Sequence, residues 1–374
     1  MLFSKIKQLL LALVVVSSAS CQQKGATAPE PKPIQDIFVG HSNAQIAYSG
    51  RVDSSKGNAT ALYWSGTAIR FNFEGESIAA ILQDQTGYNY YNVRIDKDSF
   101  FILRPDTTKR EYVLAKGLSK GPHHIEIFRR TEAAHGKTSF YGFQLKGNPK
   151  VLDRPAEKQR KIEFYGNSIT AGYGVEDFSG RDSPDSVYTN NERTYAAITA
   201  RHFDAEYRAI CWSGIGIMVS WFPIIMPELY NRLDPLDSNS RWDFTQYQPD
   251  LVVINLFQND SWIVNMPKYA EFKTRFGDKA PTADFIIDAY ADFLKKLRTA
   301  YPNAHIIAAL GNMDVTKTGS KWPGYIESAL KKLGDAKMYS HFVPYKNSKG
   351  HPNIKEHEAM AKSLIEFIEN QIKW

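Results

Sequence analysis

Residues 161–170 read KIEFYGNSIT. Ile162 and Phe164 alternate with Lys161 and Glu163, a period of two that argues for a strand. The strand breaks at Gly166–Asn167, and Ser168 stands at the break. Two readings of that serine follow from its residue type. Its hydroxyl is a nucleophile displayed on a strand-to-helix turn, or it caps an ordinary helix, a position that serine favours.

Downstream the pattern alternates. TYAAITARHF (194–203) reads as a helix and YRAICW (207–212) as a strand. DLVVINLF (250–257) is an almost unbroken apolar run, the mark of a parallel strand buried on both faces. TADFIIDAYADFLKKLRTAY (282–301) reads as a helix with Thr282 as its cap and Phe285, Ala289, Phe293 and Leu297 on its buried face. AHIIAAL (304–310) is another buried strand. The last helix is expected from about Ile354 to Ile372, with Asn353 and Glu356 forming a capping box. Alternating strands and helices imply a three-layer α/β/α domain with a parallel sheet, over residues 156–374.

Upstream the pattern is strands alone. AIRFNF (68–73), NVRID (92–96), HIEIF (124–128) and FYGFQL (140–145) alternate apolar and polar residues, with turn segments such as EGES and QTGY between them. About eight strands in roughly 110 residues predict an antiparallel β-sandwich, jelly roll-like, over residues 37–155. The fold class is therefore α/β, with the sandwich preceding the parallel-sheet domain.

The first residues carry an export pattern. Lys5 and Lys7 precede LLLALVVV (9–16), then SSAS and Cys21. The apolar run is shorter than the ~20 residues of a membrane span, and the layout is that of a signal peptide over 1–20. A cysteine directly after the small residues resembles the lipobox of bacterial lipoproteins. That resemblance implies lipidation at Cys21, a tether over 21–36 (QQKGATAPEPKPIQD, 22–36), and an exported lipoprotein of the periplasm or outer membrane, touching the membrane through its lipid anchor only. Cys211 is then the remaining thiol, in an apolar run that reads as buried. The net charge of +6 is spread along 374 residues with no run of five basic side chains, so no nucleic-acid partner is expected. HGKTS (135–139) is no phosphate loop, because Thr131 stands where the first glycine would. His123 and His124 are adjacent on a strand and face opposite ways. No metal-ligand spacing is present, and no cofactor is expected.

Polar segments follow three of the predicted strands: GNSIT (166–170), SGIG (213–216) and QND (258–260). A fourth, GHPNIKEH (350–357), precedes the last helix. In a parallel sheet all four come to the carboxyl edge, where ligands bind. They bring together a hydroxyl, glycine amides, a carboxamide and an imidazole, the components of acyl transfer. The four segments together resemble the blocks of the SGNH (GDSL-type) hydrolases. The strings IEFYGNSITAGYGVE, YAAITAR and QYQPDLVVINL, together with the preceding sandwich, resemble carbohydrate esterase family 2, whose members remove acetyl groups from sugar hydroxyls of plant polysaccharides.

The resemblance implies that Ser168 is the nucleophile and His351 the base, with His357 in a packing role. It implies that Ser168, Gly214 and Asn259 hold the oxyanion, with Gly216 as the fallback for Gly214. Asp260 reads as ordering its loop. Tyr173, Trp212, Trp262 and Trp322 flank these segments and are candidates for stacking on a pyranose, Trp262 first among them. Three departures stand out. Asn167 replaces the usual aspartate before the serine. Phe257 stands where a glycine usually opens the third block, and its bulk would reshape the pocket. No carboxylate lies between Asp335 and Glu356, so the acid that orients the histidine is missing locally. The expected activity is O-acetyl ester hydrolysis on a glycan by a Ser–His acyl-enzyme route. Two alternatives stand beside it: a catalytically impaired carbohydrate-binding lipoprotein, and an esterase for non-sugar esters.

Overall fold

A computed structural model describes residues 35–374, apart from 56, 97 and 98. The expected signal peptide, the expected lipidation site Cys21 and nearly all of the expected tether lie outside the described residues. The rest forms one compact unit.

Residues 37–151 build two antiparallel six-stranded sheets. The strands anticipated at 68–73, 92–96, 124–128 and 140–145 run Ala68–Glu74, Tyr91–Ile95, Pro122–Arg129 and Thr138–Lys146. The strand count is higher than expected, because several strands are only two or three residues long. Phe71, Phe73, Phe140 and Phe143 fill the space between the sheets. Phe140 and Phe143 meet edge-on with centroids 4.9 Å apart.

The second half contains a five-stranded parallel sheet. Its strands are β1 (Arg160–Gly166), β2 (Ala205–Cys211), β3 (Leu251–Asn255), β4 (His305–Leu310) and β5 (Met338–Phe342). Their spatial order is β2-β1-β3-β4-β5. The chain leaves β1 for β2 on one side and returns to β3 on the other. The gap between the ends of β1 and β3 is thus the point where strand order reverses, which is where such sheets bind ligands. Six helices matter here: α1 (Ser168–Ala171), α2 (Tyr195–His202), α3 (Gln258–Ile263), α4 (Ala283–Ala300), α5 (Trp322–Leu333) and α6 (Ile354–Gln371). On β1, Ile162 and Phe164 face the α2/α6 layer, while Tyr165 faces the α4/α5 layer. The period of two thus divides the strand between two cores.

Local signals account for the helix ends. Thr282 accepts the Phe285 amide at 3.3 Å, and Thr194 caps α2. Asn353 and Glu356 bond reciprocally at 3.1 and 2.9 Å. The buried face of α4 differs from expectation. Ile286, Tyr290, Phe293, Leu294 and Leu297 are buried, while Phe285 is 50% exposed. Phe285 falls in the first turn, beside the cap, and the stripe that meets the sheet begins one residue later. Cys211 is fully buried as anticipated, and burial pushes its thiol up to about 12.

Strand β2 pairs on one side only, and the sandwich covers it. Phe128 stacks on Tyr207 at 6.3 Å, and Arg70 meets Glu206 at 3.0 Å. Deeper in, the Arg51 guanidinium, wholly buried, reaches Glu163 on β1 at 3.2 Å and the Tyr165 hydroxyl at 3.0 Å. It also donates to the carbonyls of Tyr230 and Arg232 at 2.6 and 3.1 Å. Tyr165 and Tyr301 donate their hydroxyls to Glu163. Removing one member of a buried pair leaves the other charge uncompensated. Arg51→Ala is therefore expected to destabilise the protein by about 3–5 kcal/mol. Adding Glu163→Gln should recover part of that loss. Urea unfolding of the single and double variants checks this, and a single variant as stable as the parent would refute the assignment.

Candidate active site

Ser168 is the first residue of α1, directly after β1. Asn167 caps that helix, its Oδ1 accepting the Ile169 amide at 3.0 Å. A cap needs one acceptor oxygen, which asparagine supplies as aspartate would. Ser168 is therefore not the cap; its neighbour is. Its side chain instead meets the far end of the chain, with Ser168 Oγ 2.8 Å from His351 Nε2.

The acid missing beside His351 comes from elsewhere. His351 Nδ1 lies 2.9 Å from both oxygens of Asp182, and the His351 backbone amide donates to the same carboxylate at 3.2 Å. With Nδ1–H donating to Asp182, Nε2 is left to accept from the serine hydroxyl. Burial opposes ionisation of Asp182, but the hydrogen bonds and charge of His351 outweigh it and hold the carboxyl below its ordinary range. Local chemistry presents this group. Asp177 gathers the loop by accepting from the amides of Ser179 and Ser183 at 3.0 and 2.8 Å. Gly350 adopts φ +70°, and a Cβ there would meet Asp182 Cγ at 3.2 Å. The bare backbone therefore lets the histidine turn close on the acid. His351 and Asp182 also line a cleft of about 580 Å³ with Val175, Phe178 and Ile354.

The second segment, SGIG, is fixed by its neighbours. Gly214 has φ +86°, and a Cβ on it would crowd Phe222 and Trp221 at 3.2 and 3.3 Å. Its carbonyl accepts from Trp221 N–H at 3.1 Å. Gly216 cannot stand in for it as a donor, because the Gly216 amide bonds Ser220 Oγ at 2.9 Å. The third segment is the first turn of α3 rather than a loop. Asn259 is 3% exposed. Its Oδ1 accepts the Trp221 indole N–H at 3.0 Å, and Nδ2 donates to the Ile215 carbonyl at 2.8 Å. These two bonds fix the orientation of the carboxamide and leave its second N–H for another acceptor. Asp260 does order the neighbouring loop. Its carboxylate accepts the amides of Ile217, Met218 and Val219 at 3.0, 2.7 and 3.2 Å. Burial, against the pull of those amides, pushes its carboxyl up to about 6.

Phe257 does not narrow the site. Its backbone is left-handed, with φ +82°, which is why a glycine suits that position. Its ring turns into the core against Tyr290 and Trp322, with centroids 4.7 and 4.9 Å away. The ring is fully buried, which offsets a left-handed cost of roughly 1–2 kcal/mol.

The four aromatic candidates separate. Tyr173 lies against His351, with ring centroids 4.5 Å apart. Trp212 is half-buried against Phe222 at 5.5 Å. Trp262 gives its indole N–H to Asp314 at 3.0 Å and, with Trp322, lines a separate cavity of about 630 Å³. Neither Ser168 nor His351 lines that cavity. Sequence reasoning missed Asp182, 169 residues from His351. It also missed Trp221, whose only sequence signal was its closeness to SGIG.

His357 packs, as anticipated. It is fully buried, and its Nδ1 accepts the Tyr195 amide at 3.2 Å. Burial pushes its imidazole down to about 3. The unfolded chain, with an ordinary histidine near 6.5, takes up a proton that the fold refuses. Stability from this residue is therefore lost as pH falls from about 6.5 toward 3, by up to ~1.4 kcal/mol per pH unit. Asp260 has the opposite sign, losing stability as pH rises between about 4 and about 6. His357→Asn, which keeps an acceptor for Tyr195, should thus lose less stability than the parent between pH 7 and pH 5. Urea midpoints at the two pH values measure this, and equal pH slopes would refute it.

Two families match the chain: Carbohydrate esterase 2 N-terminal over residues 48–155, and the GDSL-like Lipase/Acylhydrolase family over 164–339. The chain is 34% identical over 348 residues to the cellulase/esterase CelE of Acetivibrio thermocellus. That match covers 89% of this chain and 40% of that protein, so the chain spans about two fifths of that relative. It is 25% identical over 344 residues to an acetylxylan esterase / glucomannan deacetylase of Cellvibrio japonicus, covering 90% and 91% of the two. Among solved structures, a family two carbohydrate esterase from Clostridium thermocellum in complex with cellohexaose matches with a TM-score of 0.77 and 33% identity. It covers 87% of this chain and 99% of that one.

Proposed function

Starting from carbohydrate esterase family 2, to which this chain belongs, we propose that the protein is a serine esterase that removes O-acetyl groups from a glycan. The observation that carries this reading is the continuous line of contacts from Ser168 Oγ through the His351 ring to Asp182, at 2.8 and 2.9 Å.

Ser168 Oγ attacks the acetyl carbonyl while His351 Nε2 takes its proton. The carbonyl oxygen becomes an oxyanion held by the Ser168 and Gly214 amides and the second Nδ2 hydrogen of Asn259. The bond to the sugar oxygen then breaks. His351 returns its proton to that oxygen, and the acetyl group stays on Ser168. Water, deprotonated by His351, attacks the acetyl-serine; the bond from the acetyl carbon to Ser168 Oγ then breaks, His351 returns its proton to that oxygen, and acetate leaves. Asp182 fixes the tautomer and stabilises the imidazolium in both halves of the cycle. Tyr173 and Trp221, beside the base and the carboxamide, offer aromatic surface to the sugar. With Asp182 in reach of the histidine, the missing local acid no longer favours a protein that only binds. The leader and Cys21 support an exported lipoprotein, held at the periplasmic or outer membrane by its lipid.

Acetate release from acetylated xylan, mannan and bacterial glycans tests the activity. Release from at least one, lowered by about 1,000-fold or more in Ser168→Ala, is expected. Equal rates for the two proteins, or activity confined to long-chain esters, would overturn the reading. Asp182→Asn keeps the shape and removes the charge, so kcat should fall by about 100- to 10,000-fold with KM little changed. The parent carboxyl is ionised well below neutrality, so this loss should persist across the neutral range. An undiminished kcat would assign the orienting role to something other than Asp182.

A further inference from the structure

The sandwich reaches into the active site through one buried carboxylate. Glu132, 3% exposed, accepts the Ser213 amide at 2.6 Å and the Ser213 hydroxyl at 2.7 Å, one on each oxygen. Ser213 directly precedes Gly214, and the peptide unit between them carries the N–H assigned to the oxyanion. Gripping residue 213 at both its amide and its side chain removes its freedom to rotate. From the other side, Trp221 N–H holds the Gly214 carbonyl at 3.1 Å.

The turn that presents Glu132 is itself immobilised. Buried Arg129 donates to the carbonyls of Thr131, Glu132 and Gly136 at 3.1, 3.1 and 2.6 Å, and to Leu62 and Asn89 of the sandwich at 2.6 and 2.7 Å. Ala133 continues the anchor by burying itself in the core shared with β1, β3 and α4. A rigid line therefore runs from the sandwich through Arg129, the 131–136 turn and Glu132 to the Gly214 amide.

We infer that Glu132 is a positioning residue through which the sandwich sets the oxyanion donor of the neighbouring domain, a role that rests on the esterase reading above. The sandwich is then part of the catalytic apparatus as well as a cover for β2. It acts by fixing where a donor points before the oxyanion forms, which is the kind of preorganisation that accelerates acyl transfer.

The test compares Glu132→Ala, Glu132→Gln and Ser213→Ala in the full chain. Two readouts are used: steady-state deacetylation, and the rate at which a fluorophosphonate labels Ser168, since its P–O group occupies the oxyanion position. Glu132→Ala should lower kcat and the labelling rate together by about 10- to 100-fold, with KM within about twofold. Glutamine can keep both contacts, its oxygen accepting the amide and its nitrogen donating to the hydroxyl, so Glu132→Gln should restore most of the rate. Ser213→Ala, which deletes one contact of the two, should fall between them. Glu132→Ala with undiminished kcat and labelling would overturn the inference, as would Glu132→Gln losing as much as alanine. Should the alanine variant fail to fold, glutamine against Ser213→Ala decides: equal losses in both refute the positioning role. A wild-type protein that neither releases acetate nor is labelled at Ser168 would sink the esterase reading itself, and that result is distinct from any of the variant outcomes.

Discussion

Glu163 is a charge in the middle of a buried strand, and the architecture is arranged around satisfying it. Taking a carboxylate and a guanidinium out of water costs several kcal/mol each, so the pair persists only where most of its donors and acceptors are met; here Arg51 Nε is left without a partner. Arg51 comes from the sandwich; Tyr165 and Tyr301 come from the parallel-sheet domain. Arg51 and Glu163 cannot compensate one another unless the two regions meet in one register. Sandwich and sheet are thereby fixed at β1, the strand that ends at Ser168. The same contact covers the unpaired side of β2, which would otherwise present free backbone groups.

Beyond the strand ends the site is built from segments with little regular structure, and such segments need their own restraints. Here carboxylates supply them. Asp260 collects three amides of the 217–219 turn, Asp182 binds the amide and ring of His351, Asp177 gathers the loop that carries Asp182, and Glu132 grips Ser213. Each converts loop amides, which would otherwise look for water, into fixed geometry. Asn259 is oriented in the same spirit by neutral partners, an indole N–H and a carbonyl. Ser168, His351, Gly214 and Asn259 thus hold their places by polar contacts that are local in space and distant in sequence.

That distance explains what could be read from the chain and what could not. The strand at 161–166, the apolar run at 250–257 and the capping box at Asn353 are local patterns; the first and last stand where the pattern placed them, and the apolar run holds the strand Leu251–Asn255, which ends two residues early, before left-handed Phe257. Ser168, Asn259 and His351 were legible because a strand-to-loop junction marks each of the first two and a helix start marks the third. Asp182 carries no such mark. It lies in an acidic, serine-rich turn without periodicity, and only the folded chain brings it to the histidine. Glu132 was hidden for the same reason, behind a boundary that the sequence reading drew between two domains. β5 escaped notice because none of its residues is fully buried and its apolar pattern does not alternate. Phe257 was misjudged because residue size was read without backbone direction: a left-handed φ swings the side chain away from the cleft and into the core.

The departures from the family pattern then have a common logic. A position whose task is to offer one acceptor to a helix amide accepts asparagine in place of aspartate, as Asn167 does, with its Nδ2 buried and unpartnered as the cost. A position whose task is a left-handed turn accepts phenylalanine if the ring is buried well enough to offset the strain. The orienting acid is defined by reach and direction rather than by place in the chain. Supplying it from the loop after α1 has a mechanical consequence. Ser168 and Asp182 flank one loop, gathered by Asp177, so the histidine turn docks between a serine and a carboxylate that the same loop connects. An acid beside the histidine would move with it; an acid in the serine's own segment ties the imidazole to that serine.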